Sequence, residues 1–147
     1  ELEEQGADII DIGAESTRPG SSRISADEEW QRLVPILKRL RGNLHVPLSI
    51  DTYKSETATR AMDYGVEIIN DPSGLTFDAA LAKAAASANA GLILNHMRGT
   101  PESWAKLAPL PDAPSAVARD LEAMVNRARA CNCAIPACCA KFCCGPA

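Results

Sequence analysis

The sequence lacks several features that would define its class at once. No apolar stretch approaches the roughly 20 residues that a membrane-spanning helix needs, and no signal-peptide pattern is visible. Aromatic residues make up only 4% of the 147 residues, and the 15 basic and 19 acidic side chains are interspersed. The net charge of −4 argues against a nucleic acid or a membrane surface as the partner. We therefore expect a cytoplasmic protein.

Cysteine is absent from the first 130 residues and then occurs six times in residues 131–147. In a short secreted chain this number would indicate a disulfide framework, but here the cysteines follow a segment that looks cytoplasmic. The spacing lacks paired C-x-x-C motifs, so a zinc-binding module is a minor alternative. We interpret residues 131–147 as an atypical Cys-rich tail from a shifted reading frame or a truncated sequence, and we expect it to be disordered.

Residues 1–130 alternate between short apolar runs and helical patterns. The runs are nearly continuous, as is typical of strands that are buried on both faces, and they cover Asp8–Ile12, Val46–Ile50, Val66–Ile69 and Leu92–Asn95. The helical patterns begin near Ser25, Ser55, Phe77 and Ser115. Ser25 and Glu28 form a plausible capping box for the first helix, and Pro35 should bend or weaken that helix.

This alternation indicates βαβ units and a parallel sheet, hence an α/β fold. Right-handed crossovers leave two architectures open, an open doubly wound sheet and a (β/α)8 barrel. Neither a G-x-G-x-x-G nor a G-x-x-x-x-G-K-[ST] loop follows any apolar run, which disfavours a nucleotide site.

Polar clusters follow each of the four apolar runs. They comprise Glu15–Gly20, Asp51–Thr52, Asn70–Asp71 and Asn95–Thr100. The carboxyl ends of parallel strands lie at one edge of a sheet, and barrel enzymes build their active sites there. Polar residues at strand ends also serve as turn residues or helix caps, but four convergent clusters favour a site.

Individual side chains in these clusters suit the recognition of a planar heterocycle and an anion. Asp51 can accept paired hydrogen bonds from an amidine-like ring edge, or it can cap the following helix. Asn70 can both donate and accept, or it can serve as a turn residue in Asn-Asp-Pro-Ser-Gly. Arg18, held between Thr17 and Pro19, can bind a carboxylate or phosphate, or it can be a solvated surface arginine. His96 could contact a ligand, although such a histidine is more often structural.

Three segments carry a resemblance to a known family. They are GADIIDIGAESTRPGS, PLSIDTYKSETATRAMDYGVEIINDPSG and LNHMRGTP, which together span most of residues 6–101. The chain resembles the pterin-binding enzymes, and among them the dihydropteroate synthases. This family condenses 6-hydroxymethyl-7,8-dihydropterin diphosphate with p-aminobenzoate to give 7,8-dihydropteroate in folate biosynthesis.

The resemblance implies a fold and a role for each matching residue. It implies a partial (β/α)8 TIM barrel in residues 1–130, made of about strands two to five with their helices. Asp51 and Asn70 would line the pterin pocket, and Met97 would pack near the ring. Thr17, Arg18 and Pro19 would complete the p-aminobenzoate site, with Thr17 and Arg18 as the catalytic residues.

The resemblance also implies parts that lie outside this chain. The family uses Mg²⁺, whose main ligands would precede residue 1 or follow the fourth helix, so we predict no metal-ligating residue here and an inactive fragment. A family-like homodimer is implied as a possible assembly. The alternatives are a methyltetrahydrofolate-binding methyltransferase domain, which shares the pterin pocket, and a non-catalytic pterin-binding remnant.

Overall fold

The computed structural model describes residues 1–18, 21–133 and 138–142. Strands and helices alternate along these residues, with one short 3-10 helix at Trp104–Lys106 before the last α-helix. The elements are β1 (Ile10–Gly13), α1 (Ala26–Leu40), β2 (Leu48–Asp51), α2 (Ser55–Met62), β3 (Ile68–Asp71), α3 (Ala80–Ala88), β4 (Gly91–His96), α4 (Ala113–Ala130) and β5 (Cys138–Phe142).

The strands form one sheet whose spatial order is the same as their order in the sequence. Each neighbouring pair from β1 to β5 is parallel. A doubly wound sheet reverses its direction of winding at a switch point, whereas this sheet is wound one way throughout its described strands. The chain is therefore a partial (β/α)8 barrel, as predicted.

The strand ends differ from the prediction in a consistent direction. The predicted strands ended at Ile50, Ile69 and Asn95, whereas β2, β3 and β4 end at Asp51, Asp71 and His96. Backbone pairing does not require an apolar side chain, so each ladder continues after the apolar run has ended. Asp51, Asn70 and Asp71, which were expected just beyond the strands, therefore lie within β2 and β3.

The first helix has the Ser25 half of the predicted capping box. The Ser25 side chain accepts a hydrogen bond from the Glu28 backbone N–H at 3.1 Å. The Glu28 carboxylate accepts from Arg32 at 2.6 Å. The helix continues through Pro35 to Leu40, and Leu33 and Leu37 are fully buried against the sheet.

The Cys-rich tail differs from its expectation at two places. Residues 138–142 form β5, which pairs in parallel with β4 from Leu92 to His96. Cys133 is buried, and its thiol donates to the Ala82 carbonyl at 3.1 Å. The physical reason for β5 is that the outer edge of β4 offers unpaired backbone groups to an adjacent segment. The shifted reading frame remains a prediction.

Asp78 connects the starts of two helices. Its Oδ2 accepts from the Ser55 backbone N–H at 2.8 Å, and its Oδ1 accepts from the Ala80 backbone N–H at 2.9 Å. Burial acts to raise the pKa of Asp78, but the hydrogen bonds from Ser55 and Ala80 outweigh it and hold the pKa below its ordinary value. One carboxylate thus caps both α2 and α3.

We expect Asp78→Ala to lower the free energy of unfolding by about 1–2 kcal/mol at pH 7, the usual loss for a removed helix cap. Because the folded pKa of Asp78 is depressed, its contribution is present above about pH 4 and is lost as the pH falls below that value. Urea titrations at pH 7 and pH 3 should therefore show a smaller difference at pH 3. The matched control is the exposed Asp8, where Asp8→Ala should change little; equal losses at both sites would contradict the cap.

In the described part of the chain, no helix combines the length and the apolar character that crossing a membrane requires.

Candidate functional site

The alternation of side chains along each strand separates two faces of the sheet. One set of alternate residues packs under the helices and is completely buried, including Ile50, Ile69, Leu92 and Leu94. The other set lies on the face that the helices do not cover, and the register aligns its members across the sheet. Polar side chains are concentrated on this uncovered face at the carboxyl ends of the strands, and they are Asp11, Asp51, Asn70 and Asn95.

A row of hydrogen bonds connects three of these side chains. The Asn70 amide donates to Asp11 Oδ2 at 3.0 Å, and its Oδ1 accepts from Asn95 Nδ2 at 2.8 Å. Asn95 Nδ2 also lies 3.3 Å from the Asp71 carbonyl. Because Asn70 is held from both sides, its donor and acceptor have defined directions on the uncovered face.

Asp51 is the last residue of β2 and lies in register between Gly13 and Asn70. A Cβ added at Gly13 would lie 3.1 Å from the Asp51 Cβ, so the glycine leaves room for this carboxylate. The alternative role of Asp51 as the cap of α2 is not supported, because the N-cap is Lys54 and the first helical N–H bonds to Asp78. Asp51 and Asn70 are therefore neighbours on the uncovered face.

Asp71 forms the hydrogen bonds that hold the turn after β3. The hydrogen bonds of the Asn70 side chain go instead to Asp11 and Asn95. Asp71 is fully buried and accepts hydrogen bonds from the Ser73 backbone, the Ser73 hydroxyl and the Leu75 backbone. Burial raises the pKa of Asp71 above its ordinary value, although these hydrogen bonds act in the opposite direction. Asp71 thus fixes the turn on the helix side, while Asn70 faces the site.

A buried cluster of charged side chains joins the loop that follows β1 to helix α1 and to the β2–α2 loop. Lys54 Nζ contacts both Glu15 Oε2 and Glu29 Oε2, the latter at 3.2 Å. The side chains of Glu15, Glu29 and Lys54 are 6%, 1% and 14% exposed. Burial acts to lower the pKa of Lys54, but the hydrogen bond to Glu15 and the charge of Glu29 outweigh it and raise the pKa.

Hydroxyl groups complete this ion cluster. Glu29 Oε2 accepts from Thr57 at 2.7 Å and from Thr52 at 3.2 Å. The Tyr53 hydroxyl donates to Glu15 Oε1 at 2.8 Å. Burial raises the pKa of Tyr53, and its hydrogen bond to Glu15 adds to the rise. The cluster therefore connects the loop after β1, the start of α1 and the β2–α2 loop.

The predicted p-aminobenzoate residues lie on the loop after β1. Thr17 is half-buried, Arg18 is exposed, and Pro19 lies outside the described residues. The Ser21 backbone donates to the Arg18 carbonyl at 3.1 Å, and the Ser21 hydroxyl donates to the Ser16 carbonyl at 2.6 Å. Met97, half-buried, follows β4 directly.

His96 matches the structural alternative. It is 6% exposed, and its Nε2 lies 3.0 Å from Asp120 Oδ2 on α4. This contact joins the end of β4 to the helix that follows it.

Sequence reasoning missed Asp11 and the buried Glu29. One signal could have identified Asp11. Asp11 and Gly13 are two residues apart on β1 and therefore face the same side of the sheet, and Gly13 pairs with Asp51. Glu29 had no such signal, because an acidic residue in the first turns of a helix is ordinary on the surface. Only the packing of α1 against α2 identifies it as buried.

This strand order, with polar side chains aligned at the carboxyl ends of the strands, is that of part of a (β/α)8 barrel. The family model for pterin binding enzymes matches residues 1–134, and the chain belongs to that family. The dihydropteroate synthase of Synechocystis sp. is 41% identical over 124 residues, which cover 84% of this chain and 43% of that protein.

Two solved structures have closely similar folds. One is the Clostridium difficile dihydropteroate synthase in the presence of pteroic acid, with a TM-score of 0.85, 32% identity, and coverage of 95% of this chain and 51% of that chain. The other is the Xanthomonas albilineans enzyme with 4-aminobenzoic acid, with a TM-score of 0.85, 32% identity, and coverage of 95% and 48%. The chain thus spans about half the length of these relatives.

Proposed function

We propose that this chain is part of a dihydropteroate synthase, which joins a pterin diphosphate to p-aminobenzoate. The observation that carries the proposal is the polar row on the uncovered face, where Asp51 lies beside an Asn70 that Asp11 and Asn95 orient. A carboxylate beside an oriented amide matches the donor and acceptor edge of a pterin. The related structures were solved with pteroic acid, a close relative of the product, and with 4-aminobenzoic acid, one of the two substrates of the proposed reaction.

The predicted residues divide between the two substrates. Asp51 and Asn70 would bind the pterin edge, and Met97 would pack against the ring. Thr17 and Arg18, with Pro19, would bind p-aminobenzoate, since a guanidinium suits its carboxylate. The roles of all six residues are proposals.

The reaction makes two demands on the chain. The bond between the exocyclic pterin carbon and the diphosphate oxygen breaks, the aryl nitrogen forms a bond to that carbon, and the nitrogen loses a proton. Residues that hold the pterin and the amine in line supply proximity, and a closed loop excludes water from the electrophilic carbon. Asp51 and Asn70 would hold the pterin, Thr17 and Arg18 would hold the amine substrate, and the loop that carries Thr17 and Arg18 would exclude water.

Mg²⁺ remains part of this proposal through the family resemblance. In the part of the chain that the structure describes, no group of three or more His, Cys, Asp and Glu side chains could hold a metal ion. Mg²⁺ is commonly held by one or two carboxylates together with substrate phosphates and water, and the resemblance places its main ligands outside this chain.

A cytoplasmic location, residues 1–130 as a partial pterin-binding TIM-barrel domain that is inactive by itself, and a family-like homodimer also belong to the proposal. A methyltetrahydrofolate-binding methyltransferase domain is a weaker alternative, because the similar curated proteins carry the names of folate-synthesis enzymes. A non-catalytic pterin-binding unit shares the site and differs only in turnover.

The direct test is to titrate the chain with 6-hydroxymethylpterin in a calorimeter and then to assay it with pterin diphosphate, p-aminobenzoate and Mg²⁺. Saturable pterin binding without turnover is the result expected both of an inactive part of a synthase and of a pterin-binding unit. Turnover would show that residues 1–147 are sufficient for the synthase reaction. Absence of binding by a folded chain, as judged by circular dichroism, would contradict both.

We expect Arg18→Ala to weaken the use of p-aminobenzoate by roughly 10²-fold in any form of the protein that turns over, because it removes a charge-assisted contact. The pterin affinity of Arg18→Ala should differ from that of the native chain by less than about twofold, because Arg18 lies on a different loop from Asp51 and Asn70. Steady-state kinetics with each substrate varied would show this. The matched control is Arg119→Ala, at an exposed arginine on α4, which should leave the kinetics unchanged. Unchanged kinetics in Arg18→Ala would contradict the assignment of Arg18 to the p-aminobenzoate site.

A further inference from the structure

The turn that follows β3 contains a strained backbone conformation. Gly74 and Leu75 are consecutive, and both have a positive φ, of 58° and 65°. Glycine adopts this left-handed region readily, whereas the Cβ of a leucine is crowded against the backbone there. Residues in such conformations persist where the surrounding structure holds them, and they are concentrated at functional sites. A strained leucine so close to Asn70 points to a role for this turn in the site.

The carboxylate of Asp71 holds the turn in this conformation. Its Oδ1 accepts from the Ser73 backbone N–H and from the Ser73 hydroxyl, both at 2.8 Å, and its Oδ2 accepts from the Leu75 backbone N–H at 2.6 Å. Because Asp71 is completely buried, water cannot replace these hydrogen bonds. The Leu75 side chain is also buried in the core, which holds the far end of the turn.

The turn packs tightly against β4 and α4. A Cβ added at Gly74 would collide with Met124 Sδ and would lie 2.7 Å from the Asn95 backbone oxygen. The Gly74 carbonyl accepts from Arg127 of α4 at 3.2 Å. The turn therefore has a defined position relative to Asn95, near the end of β4.

One backbone carbonyl connects the turn to the polar row. Asn95 Nδ2 lies 2.8 Å from Asn70 Oδ1 and 3.3 Å from the Asp71 carbonyl oxygen. A side-chain amide carries two N–H groups, so Asn95 can donate to both oxygens at the same time. Since a carbonyl oxygen only accepts, the Asp71 carbonyl determines which end of the Asn95 amide faces β3.

The opposite end of the row is fixed by the same rule. The Asn70 amide donates to Asp11 Oδ2 at 3.0 Å, and an ionised carboxylate only accepts. Donation therefore runs from Asn95 to Asn70 and on to Asp11, between two groups that cannot donate. A reversed Asn95 amide would place its oxygen against the oxygens of Asn70 and Asp71, where no hydrogen bond can form.

We propose that Asp71 is a positioning residue for the pterin site: its carboxylate holds the β3–α3 turn, and its backbone carbonyl thereby fixes the direction of the Asn95 and Asn70 amides. This inference rests on the proposed function for the identity of the ligand, the edge of a pterin ring. Asp71 acts on that ligand only through the two amides. If the amides can reverse, a fraction of the chains presents the wrong donor and acceptor, and the apparent affinity falls by that fraction.

The test compares two substitutions in the β3–α3 loop. Asp71→Asn keeps the shape of the side chain but replaces one acceptor oxygen by an N–H donor, so the turn loses at least one hydrogen bond. Asp78→Asn is the matched control, because the described hydrogen bonds of Asp78 go to the backbone of Ser55 and Ala80 at the starts of α2 and α3. Both variants should be less stable than the native chain in urea.

The first readout is the ¹H–¹⁵N spectrum of the Asn70 and Asn95 side-chain amides in the whole 147-residue chain without ligand. We expect both signals to shift or broaden in Asp71→Asn and to keep their native positions in Asp78→Asn. The second readout is calorimetry with 6-hydroxymethylpterin. Its affinity should fall about tenfold in Asp71→Asn, the scale of one lost hydrogen bond. It should stay within about twofold of the native value in Asp78→Asn, which lies apart from the row.

A milder variant decides the question if Asp71→Asn does not fold. Ser73→Ala removes the hydroxyl that donates to Asp71 and keeps the carboxylate, and we expect smaller changes in the same two amide signals. Native amide signals in a folded Asp71→Asn, or in Ser73→Ala if it alone folds, would overturn the proposal, as would equal losses of pterin affinity in the Asp71 and Asp78 variants. The spectrum needs no ligand, so a native chain that fails to bind pterin would contradict the proposed function, while the amide signals would still decide the role of Asp71.

Discussion

Replacing Asp51 by alanine should abolish the binding of pterin, with a loss of at least about 100-fold in affinity. Asp51 would accept paired hydrogen bonds from the ring edge, and charge-assisted pairs of this kind are about twice as strong as neutral ones. Removing it also leaves the ring donors without partners, which adds their desolvation cost. Calorimetry with 6-hydroxymethylpterin measures the loss directly.

The fold should survive this substitution. Asp51 lies on the face that the helices do not cover, and the first backbone N–H of α2 donates to Asp78. Asp51→Asn keeps one acceptor and should bind pterin more weakly than the native chain but more tightly than Asp51→Ala. Asp8→Ala, an exposed aspartate before β1, is the control for net charge. Normal pterin affinity in Asp51→Ala would remove the basis of the pocket assignment.

The second large effect should come from Lys54→Met. The side chain of Lys54 is the cation between two buried carboxylates, Glu15 and Glu29. Breaking a buried ion pair by removing one partner commonly costs about 3–5 kcal/mol, because an uncompensated charge remains. We expect a loss of this size in urea unfolding, which is a large share of the stability of a typical domain.

A double variant separates charge imbalance from lost packing. Glu15→Gln removes one of the two carboxylates, so the combined Lys54→Met and Glu15→Gln chain should be more stable than Lys54→Met alone. The exposed Lys38 of α1 supplies the control, and Lys38→Met should change stability by less than about 0.5 kcal/mol. A double variant that is less stable than Lys54→Met would show that packing, rather than charge, dominates at this site.

Local patterns predicted the elements of this fold well. Four apolar runs correspond to β1–β4, and the cap at Ser25 and the parallel arrangement are confirmed. The choice between a barrel and a doubly wound sheet could not be made from these patterns, because both consist of the same βαβ units. The strand order decided it.

The fifth strand and the buried ion cluster could not be predicted for different reasons. Residues 138–142 lie in a Cys-rich segment without a recognisable strand pattern, and they pair because β4 presents an open edge. Glu29 resembles any acidic residue near a helix start, and its burial follows from the approach of α1 to α2. Residue propensities describe neither the open edge of a neighbouring strand nor the packing of one helix against another.

By itself, the sequence determined the α/β class, the alternation of strands and helices, and the segments that resemble pterin-binding enzymes. These properties depend on short-range periodicity and on adjacent residues. Only the tertiary structure decided that Asn70 would bond to Asp11, a residue 59 positions earlier, and that Lys54 would join Glu15, 39 positions earlier. Such contacts depend on strand register and on the direction of each crossover, and these are fixed only when the whole sheet and its helices pack together.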